Sequence, residues 1–330
     1  MKLQNRIELL QQLKQYLLQD DEEWKTIKAS ASAANGWFTH GFIELAINNI
    51  IEHYLDKEKL LEFVQAYTIN DELPKKNVGI VMAGNIPLVG FHDFLCVFLS
   101  GHQQTIKLSS KDDILLKHLI KKMYGWEITI QNTISIANRI DGCDAYIATG
   151  NNNSATYFDY YFKKYPSIIR RNRTSVAILT GFETANELEK IADDVHIYFG
   201  LGCRNVTKIY VPENYDFVPL LKAFEKYAYF ADHHKYKNNF DYYLTIQIMN
   251  NQFYMTNNSI LLIKNDAFFS PISQLHYDFY AAIEPILVNL HNNESIQCVV
   301  GKDVAFGMAQ QPLLTSYADG VDTMKFLLAL

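Results

Sequence analysis

Residues 78–108 read VGIVMAGNIPLVGFHDFLCVFLSGHQQTIKL. Val78–Ala83 is an apolar run of strand length that ends at the turn pair Gly84-Asn85. GNIPLVG then leads into HDFLCVFL, which reads as helix, and Thr105–Leu108 is a second short strand. SSKDD follows as a helix-start signal, and then ILLKHLIKKM. Strand, helix, strand and helix in this order predict a parallel sheet covered on both faces.

The same texture continues downstream, with strands expected at Glu127–Ile130, Ala145–Ala148 and Val176–Leu179 and helices between them. Upstream, the first seventy residues are helical in pattern, and DELPKKN with Pro74 punctuates their end. Leu3, Ile7, Leu10, Leu13 and Leu17 recur at helical spacing, as on an amphipathic surface helix rather than a signal peptide. A second lobe is expected from Gly181, with a helix over Ala185–Tyr198, the strand KIYVP, a helix from Asp216, and strands at Ser259–Ile263 and Ile296–Val300. The expected division is residues 1–180, residues 181–310 and a tail, 311–330, carrying turn residues and a short helix. The fold class is therefore α/β, two parallel-sheet lobes with a helical N-terminal segment.

At 330 residues a chain nears the limit of one core, so two lobes suit the length. With 48% hydrophobic and 20% charged residues the composition is globular. A formal charge of −6 with scattered Lys and Arg argues against nucleic acid as the main partner. No run approaches the roughly 18–20 apolar residues of a membrane span. Cys96, Cys143, Cys203 and Cys298 are far apart, with no metal-ligand spacing, which suits a reducing, cytoplasmic setting. No metal site is expected. His233 and His234 adjoin, so their side chains diverge, and neither HExxH nor GxSxG occurs. His92 and His102 read as polar packing.

Four segments can carry chemistry, each with a plainer reading beside it. In FGLGCRNVTKIYVP, residues 199–212, glycines flank the approach to Cys203, where a thiolate nucleophile or a buried structural cysteine would both fit. Asn85, at the carboxyl end of a parallel strand, suits an oxyanion donor or a turn residue bonding its own backbone. Lys107, leaving a strand for Ser109 and Ser110, suits a ribose or phosphate contact, or is a solvated lysine. ATGNNNSA, residues 148–155, places Gly150 and Asn151 where a helix opens, as a phosphate or nicotinamide cradle or as an ordinary N-cap.

In this order the segments resemble the aldehyde dehydrogenase superfamily, and within it the LuxC-type acyl-CoA reductases. The resemblance runs from about Val78 to Pro212 and more faintly to Gly301. GNIP is similar to the family's Asn-aromatic-Pro motif, which implies an oxyanion role for Asn85. TIKLSS resembles the lysine-proline-serine-glutamate turn that grips the adenosine ribose, which implies cofactor contacts for Lys107, Ser109 and Ser110. ATGNNN resembles the Thr-Gly-Ser loop near the nicotinamide, placing Gly150 and Asn151 beside the cofactor. Cys203 falls on the catalytic cysteine. The lobes then become a Rossmann-like NADP-binding domain with the helical N-terminus, and a catalytic cysteine domain.

Two departures direct the expected chemistry. Aldehyde-oxidising relatives carry a glutamate in Glu-Leu-Gly-Gly that activates water, whereas IIRRNRTSVAIL, residues 168–179, has arginines there. Ser110 stands where NAD-preferring relatives have a ribose-binding glutamate, and a serine tolerates a 2′-phosphate. The resemblance thus implies reduction of acyl-CoA, or an acyl-carrier thioester, to aldehyde with NADPH through a Cys203 thioacyl-enzyme. The alternatives are aldehyde oxidation to acid and a non-catalytic, nucleotide-binding assembly partner. Arg170, Arg171 and Arg173 are either phosphate contacts of CoA or cofactor, or a solvated basic edge. Assembly as a homo-oligomer or with a partner enzyme stays open.

Overall fold

The apolar period of the N-terminal sequence becomes helix α1, Leu3–Gln19, which buries Ile7, Leu10, Leu13 and Leu17 in the computed structural model, a description of residues 1–330. Helix α2, Glu22–Ala34, starts where the Asp21 carboxylate accepts the Trp24 N–H at 2.8 Å. Helix α3, His40–Asn49, starts at Thr39, whose hydroxyl accepts the Phe42 N–H. Helix α4, Lys57–Gln65, is capped by Asp56. These side chains satisfy amide donors that the first helical turn leaves open.

The chain divides into two compact units, residues 1–172 with 312–330, and residues 173–311. The first contains β1 (Asn77–Val81), α5 (Phe91–Ser100), β2 (Gln103–Lys107), α6 (Ile114–Trp126), β3 (Ile134–Ile136), β4 (Ala145–Thr149), α7 (Asn152–Phe162) and β5 (Ser167–Arg170). All five strands are parallel in the order β3-β2-β1-β4-β5. Helix α5 is buried on every side, as an apolar run without a polar stripe requires. The C-terminal segment completes this core: Leu314, Met324 and Leu327 pack into it, and the short helix Thr323–Leu328 lies against α5.

In the second unit, β6 (Thr174–Ile178), α8 (Ala185–His196), β7 (Val206–Pro212), α9 (Val218–Ala223), α10 (His234–Met249), β8 (Met255–Thr256), β9 (Leu261–Lys264), β10 (Gln274–Tyr280), α11 (Glu284–His291) and β11 (Ile296–Val300) follow in turn. The sheet order is β11-β6-β7-β10-β9-β8, parallel except for the short β8–β9 pair. No helix is long and apolar enough to cross a membrane.

The structure differs from the sequence reading in where the chain divides, where the tail belongs and what Glu127–Ile130 forms. The division falls before β6, not after it, because Ser167–Arg170 is a strand of its own that ends the first sheet. Residues 312–330 belong to the first unit instead of forming a separate tail. The strand expected at Glu127–Ile130 is a 3₁₀ turn over Ile128–Asn132: the Glu127 carboxylate accepts from both the N–H and the hydroxyl of Thr129, at 3.0 and 2.7 Å, and bends the backbone out of extension.

Candidate active site

The first sheet reverses its strand order at β1. The chain moves outward through β2 to β3, then returns to place β4 on the other side of β1. Such a reversal opens a crevice beyond the carboxyl ends of the strands, where open α/β sheets take their ligands. Asn85 follows β1, Lys107 ends β2 opposite Val81, and Gly150 and Asn151 follow β4, whose Ala148 pairs with Val81. Residues separated by 66 positions in sequence, Asn85 to Asn151, therefore leave one edge of one sheet.

Close backbone approach explains the glycines of the β1 turn. Met82 N–H still bonds the Lys107 carbonyl at 3.0 Å. A Cβ at Gly84 would stand 2.5 Å from Ser109 Oγ, and one at Gly90 would stand 2.5 Å from Met82 Sδ. Leu88 adopts φ +56°, a left-handed conformation uncommon for a side chain of this kind. Lys107, Ser110 and Lys111 are exposed, whereas Ser109 is half-buried and faces Gly84. Across the edge, Asn151 caps α7: its Oδ1 accepts the Ser154 N–H at 2.8 Å. Gly150 donates to the Arg170 carbonyl at 3.2 Å, and a Cβ there would press on Phe158 and Ser154.

In the second unit Cys203 lies in the loop between the α8 end and β7. Tyr198 and Phe199, at φ +57° and +56°, precede Gly200 at +75°. Consecutive left-handed residues with side chains are costly and persist only where the surroundings hold them. Phe199 is held by Phe230 and His233, each with ring centroids 4.4 Å away.

Asn205 fixes the rest of the loop, a role the sequence reading missed. Fully buried, its Nδ2 donates to the carbonyls of Asp194, Val195 and Ile197 at 3.1, 3.3 and 2.8 Å. Its Oδ1 accepts the Gly202 N–H at 2.8 Å. One amide thus closes the open carbonyls at the end of α8 and fixes the residue before Cys203. On the other side Ser175 Oγ donates to the Cys203 carbonyl at 3.2 Å. Cys203 is half-buried, while Cys96, Cys143 and Cys298 are buried and burial raises each of their thiol pKa values.

Of the three arginines only Arg171 lies on the solvated edge expected of them. Arg170 is buried, paired with Asp93 and donating to Thr323 Oγ1 at 3.0 Å. Arg171 pairs with Asp159 at the surface, and Arg173 donates to the Ile296 carbonyl at 3.2 Å. His92 and His102 bond the Leu314 and Leu327 carbonyls, both at 2.9 Å, and so fasten the C-terminal segment, in keeping with polar packing. No group of three His, Cys, Asp or Glu side chains is placed to hold a metal ion.

The family profile described as Acyl-CoA reductase (LuxC) matches residues 1–219, two thirds of the chain. The chain belongs to the LuxC acyl-CoA reductase family. It is accordingly an oxidoreductase acting at the aldehyde level. Among curated proteins no relative matches significantly. The solved structures it resembles share the fold of the aldehyde dehydrogenase superfamily. The NAD-dependent aldehyde dehydrogenase of Sinorhizobium meliloti superposes with a TM-score of 0.68 at 10% identity, over 94% of this chain and 72% of that one. Aldehyde dehydrogenase 21 of Physcomitrella patens, solved with its reaction product succinate, gives 0.67 at 12% identity, over 92% and 74%. The indole-3-acetaldehyde dehydrogenase AldA of P. syringae, solved with NAD+ and IAA, gives 0.66 at 11% identity, over 87% and 69%. These likenesses bear out the expected fold class, and the profile match bears out the expected family.

Proposed function

We propose that this LuxC-family chain reduces an acyl thioester, acyl-CoA or a carrier-bound acyl group, to the aldehyde through a thioacyl-enzyme on Cys203, in the cytoplasm. The observation that carries the reading is the Cys203 loop, a half-buried thiol after two glycines on a backbone pinned by Asn205 and Ser175. The Cys203 thiolate attacks the thioester carbonyl and the carrier thiolate leaves, taking a proton. The Asn85 amide and the Cys203 N–H are the proposed donors to the oxyanion.

The first unit is the proposed cofactor domain and the second the proposed cysteine domain. The exposed Lys107 and the α7 N-terminus at the sheet reversal fit a dinucleotide. Lys107, Ser109 and Ser110 would hold the adenosine ribose, and Gly150 and Asn151 the nicotinamide side. With its Oδ1 engaged as an N-cap, Asn151 would contribute through its backbone and its Nδ2 donors. The exposed Ser110 and Lys111 favour a 2′-phosphate and hence NADPH. These residues would hold NADPH, whose chemistry there would be hydride donation to the acyl carbon. Collapse of the Cys203 thiohemiacetal then frees the aldehyde and restores the thiol. Arg170 and Arg171, each tied to a carboxylate, fall in the sequence stretch that carries the water-activating glutamate in aldehyde-oxidising relatives, which supports reduction over hydrolysis.

The test is intact-protein mass spectrometry after mixing with acyl-CoAs of graded chain length in the absence of reductant. An acyl adduct on Cys203 is expected, absent in Cys203→Ala while NADPH binding survives. Asn85→Ala should slow acylation on the order of 10²–10³-fold. Normal turnover by Cys203→Ala would overturn the assignment, and steady conversion of aldehyde to free acid without CoA would replace reduction by oxidation.

A further inference from the structure

Between the Asn85 turn and the Lys107–Ser110 loop lies a carboxyl group that the mechanism above does not use. Asp112 is 9% exposed, and its Oδ2 accepts the Leu88 N–H at 2.8 Å. Leu88 is the left-handed residue three positions after Asn85. The same aspartate is tied to its own loop, its N–H donating to the Ser109 carbonyl at 3.0 Å. Ser109 and Asp112 both abut Gly84, where a Cβ would stand 2.7 and 3.2 Å from their Cβ atoms. The two loops are therefore in contact, and one side-chain hydrogen bond crosses between them to a strained residue.

Such a residue needs an acceptor for its buried amide as well as a reason to stay left-handed. Asp112 Oδ2 supplies the acceptor. Its Oδ1 is buried without a hydrogen-bond partner, an arrangement costly for an ionised carboxylate. Burial accordingly pushes the carboxyl up to about 7, with the Leu88 N–H opposing the shift. A neutral carboxyl or an amide still accepts the Leu88 N–H, less strongly than a carboxylate. The geometry requires an acceptor at this point and not a charge.

We propose that Asp112 is a positioning residue that holds the Asn85 turn against the Lys107–Ser110 loop by fixing Leu88. The catalytic consequence rests on the proposed thioester chemistry: without Asp112 the Leu88 turn relaxes, Asn85 loses its aim, and acylation of Cys203 slows. The exposed Lys107 and Ser110 keep their reach, so cofactor binding changes little.

Two readouts test this on the full chain, amide hydrogen exchange over residues 84–90 and single-turnover acylation followed by mass. Asp112→Ala should raise exchange across the turn at least tenfold and slow acylation at least tenfold, with the NADPH dissociation constant changed less than threefold. Asp112→Asn, which keeps an acceptor oxygen, should restore both rates to within about threefold of the unmutated chain. If Asp112→Ala fails to fold, Asp112→Ser, whose hydroxyl falls short of Leu88, takes its place with the same expectations. Unchanged exchange or acylation on loss of the acceptor, or failure of Asp112→Asn to restore them, overturns the proposal. An unmutated chain that never forms the Cys203 adduct overturns the thioester reading instead, while the exchange measurement still judges whether Asp112 holds the turn.

Discussion

Cys203 and Asn205 show how different the evidence for two neighbouring residues can be. Glycines before a cysteine point to close approach and to chemistry, and that signal is local. Asn205 announces nothing in GLGCRNV, because its partners at Asp194, Val195 and Ile197 become neighbours only when α8 ends and the chain doubles back. Asn205→Ala would orphan those buried carbonyls and the Gly202 N–H together. Each unsatisfied buried group costs about 1–3 kcal/mol, so the variant should lose at least about 2 kcal/mol of stability by denaturant unfolding. The Cys203 loop should also loosen, and the rate of Cys203 alkylation by iodoacetamide should change severalfold under native conditions. An alkylation rate equal to that of the unmutated chain would show that Asn205 serves the helix end alone. Asn151 is the converse case. Its N-cap bond is legible in GNNNSA, and the structure shows that bond, so its proposed cofactor role falls to its backbone and its Nδ2.

Helix α8 joins local rules to long-range packing. Thr184 and Glu187 form a reciprocal capping box, a start readable from TANE in the sequence. Its end was read two residues late, because Ile197 and the left-handed Tyr198 take their conformation from tertiary packing. β10, QLHYDFY, was missed for a related reason: Gln274 and His276 look solvated, yet both are buried, His276 bonding the Ala267 carbonyl at 2.9 Å. The apolar runs at β1 and β11 were legible because burial on both faces leaves a plain β-branched signature. At the C-terminal end of α8, His196 is buried and stacked 4.7 Å from Tyr227, donating from Nδ1 to the Ala192 carbonyl. Burial lowers its pKa to about 4. A depressed folded pKa means stability present above the unfolded value near 6.5 and lost as pH falls toward 4. Replacing it by phenylalanine keeps the ring and removes the titration. Between pH 7 and 4 the unmutated chain should therefore lose up to roughly 3 kcal/mol relative to His196→Phe. Asp112 and Asp194, raised by burial to about 7 and about 6, favour the folded state as pH falls, but they are common to both chains and cancel in the difference. Parallel pH profiles for the two chains would show that His196 charges in place.

For the whole chain, the sequence order of elements was a sound guide to the two sheets and a poor one to where each segment belongs. The parallel strands and their crossover helices follow from period and length. Where residues 312–330 pack does not, since its anchors are single groups far upstream: His92, His102 and the Asp93–Arg170–Thr323 cluster. Reading Arg170 as part of a solvated edge failed because the sequence gives no sign that Asp93, inside α5, meets it. A buried pair of this kind holds segments together mainly by making its loss costly. Arg170→Met would leave the Asp93 carboxylate buried without its partner and should destabilise the chain by about 3–5 kcal/mol. The double variant Asp93→Leu with Arg170→Met removes both charges and should recover most of that loss, giving a coupling energy above about 2 kcal/mol in a double-mutant cycle. If Arg170 instead gripped a phosphate of CoA or of the cofactor, Arg170→Met would weaken that ligand at least tenfold at temperatures where the variant is fully folded. Ligand affinity within about twofold, together with the recovery in the double variant, is the expected result. It would assign this arginine to the attachment of the C-terminal segment rather than to substrate.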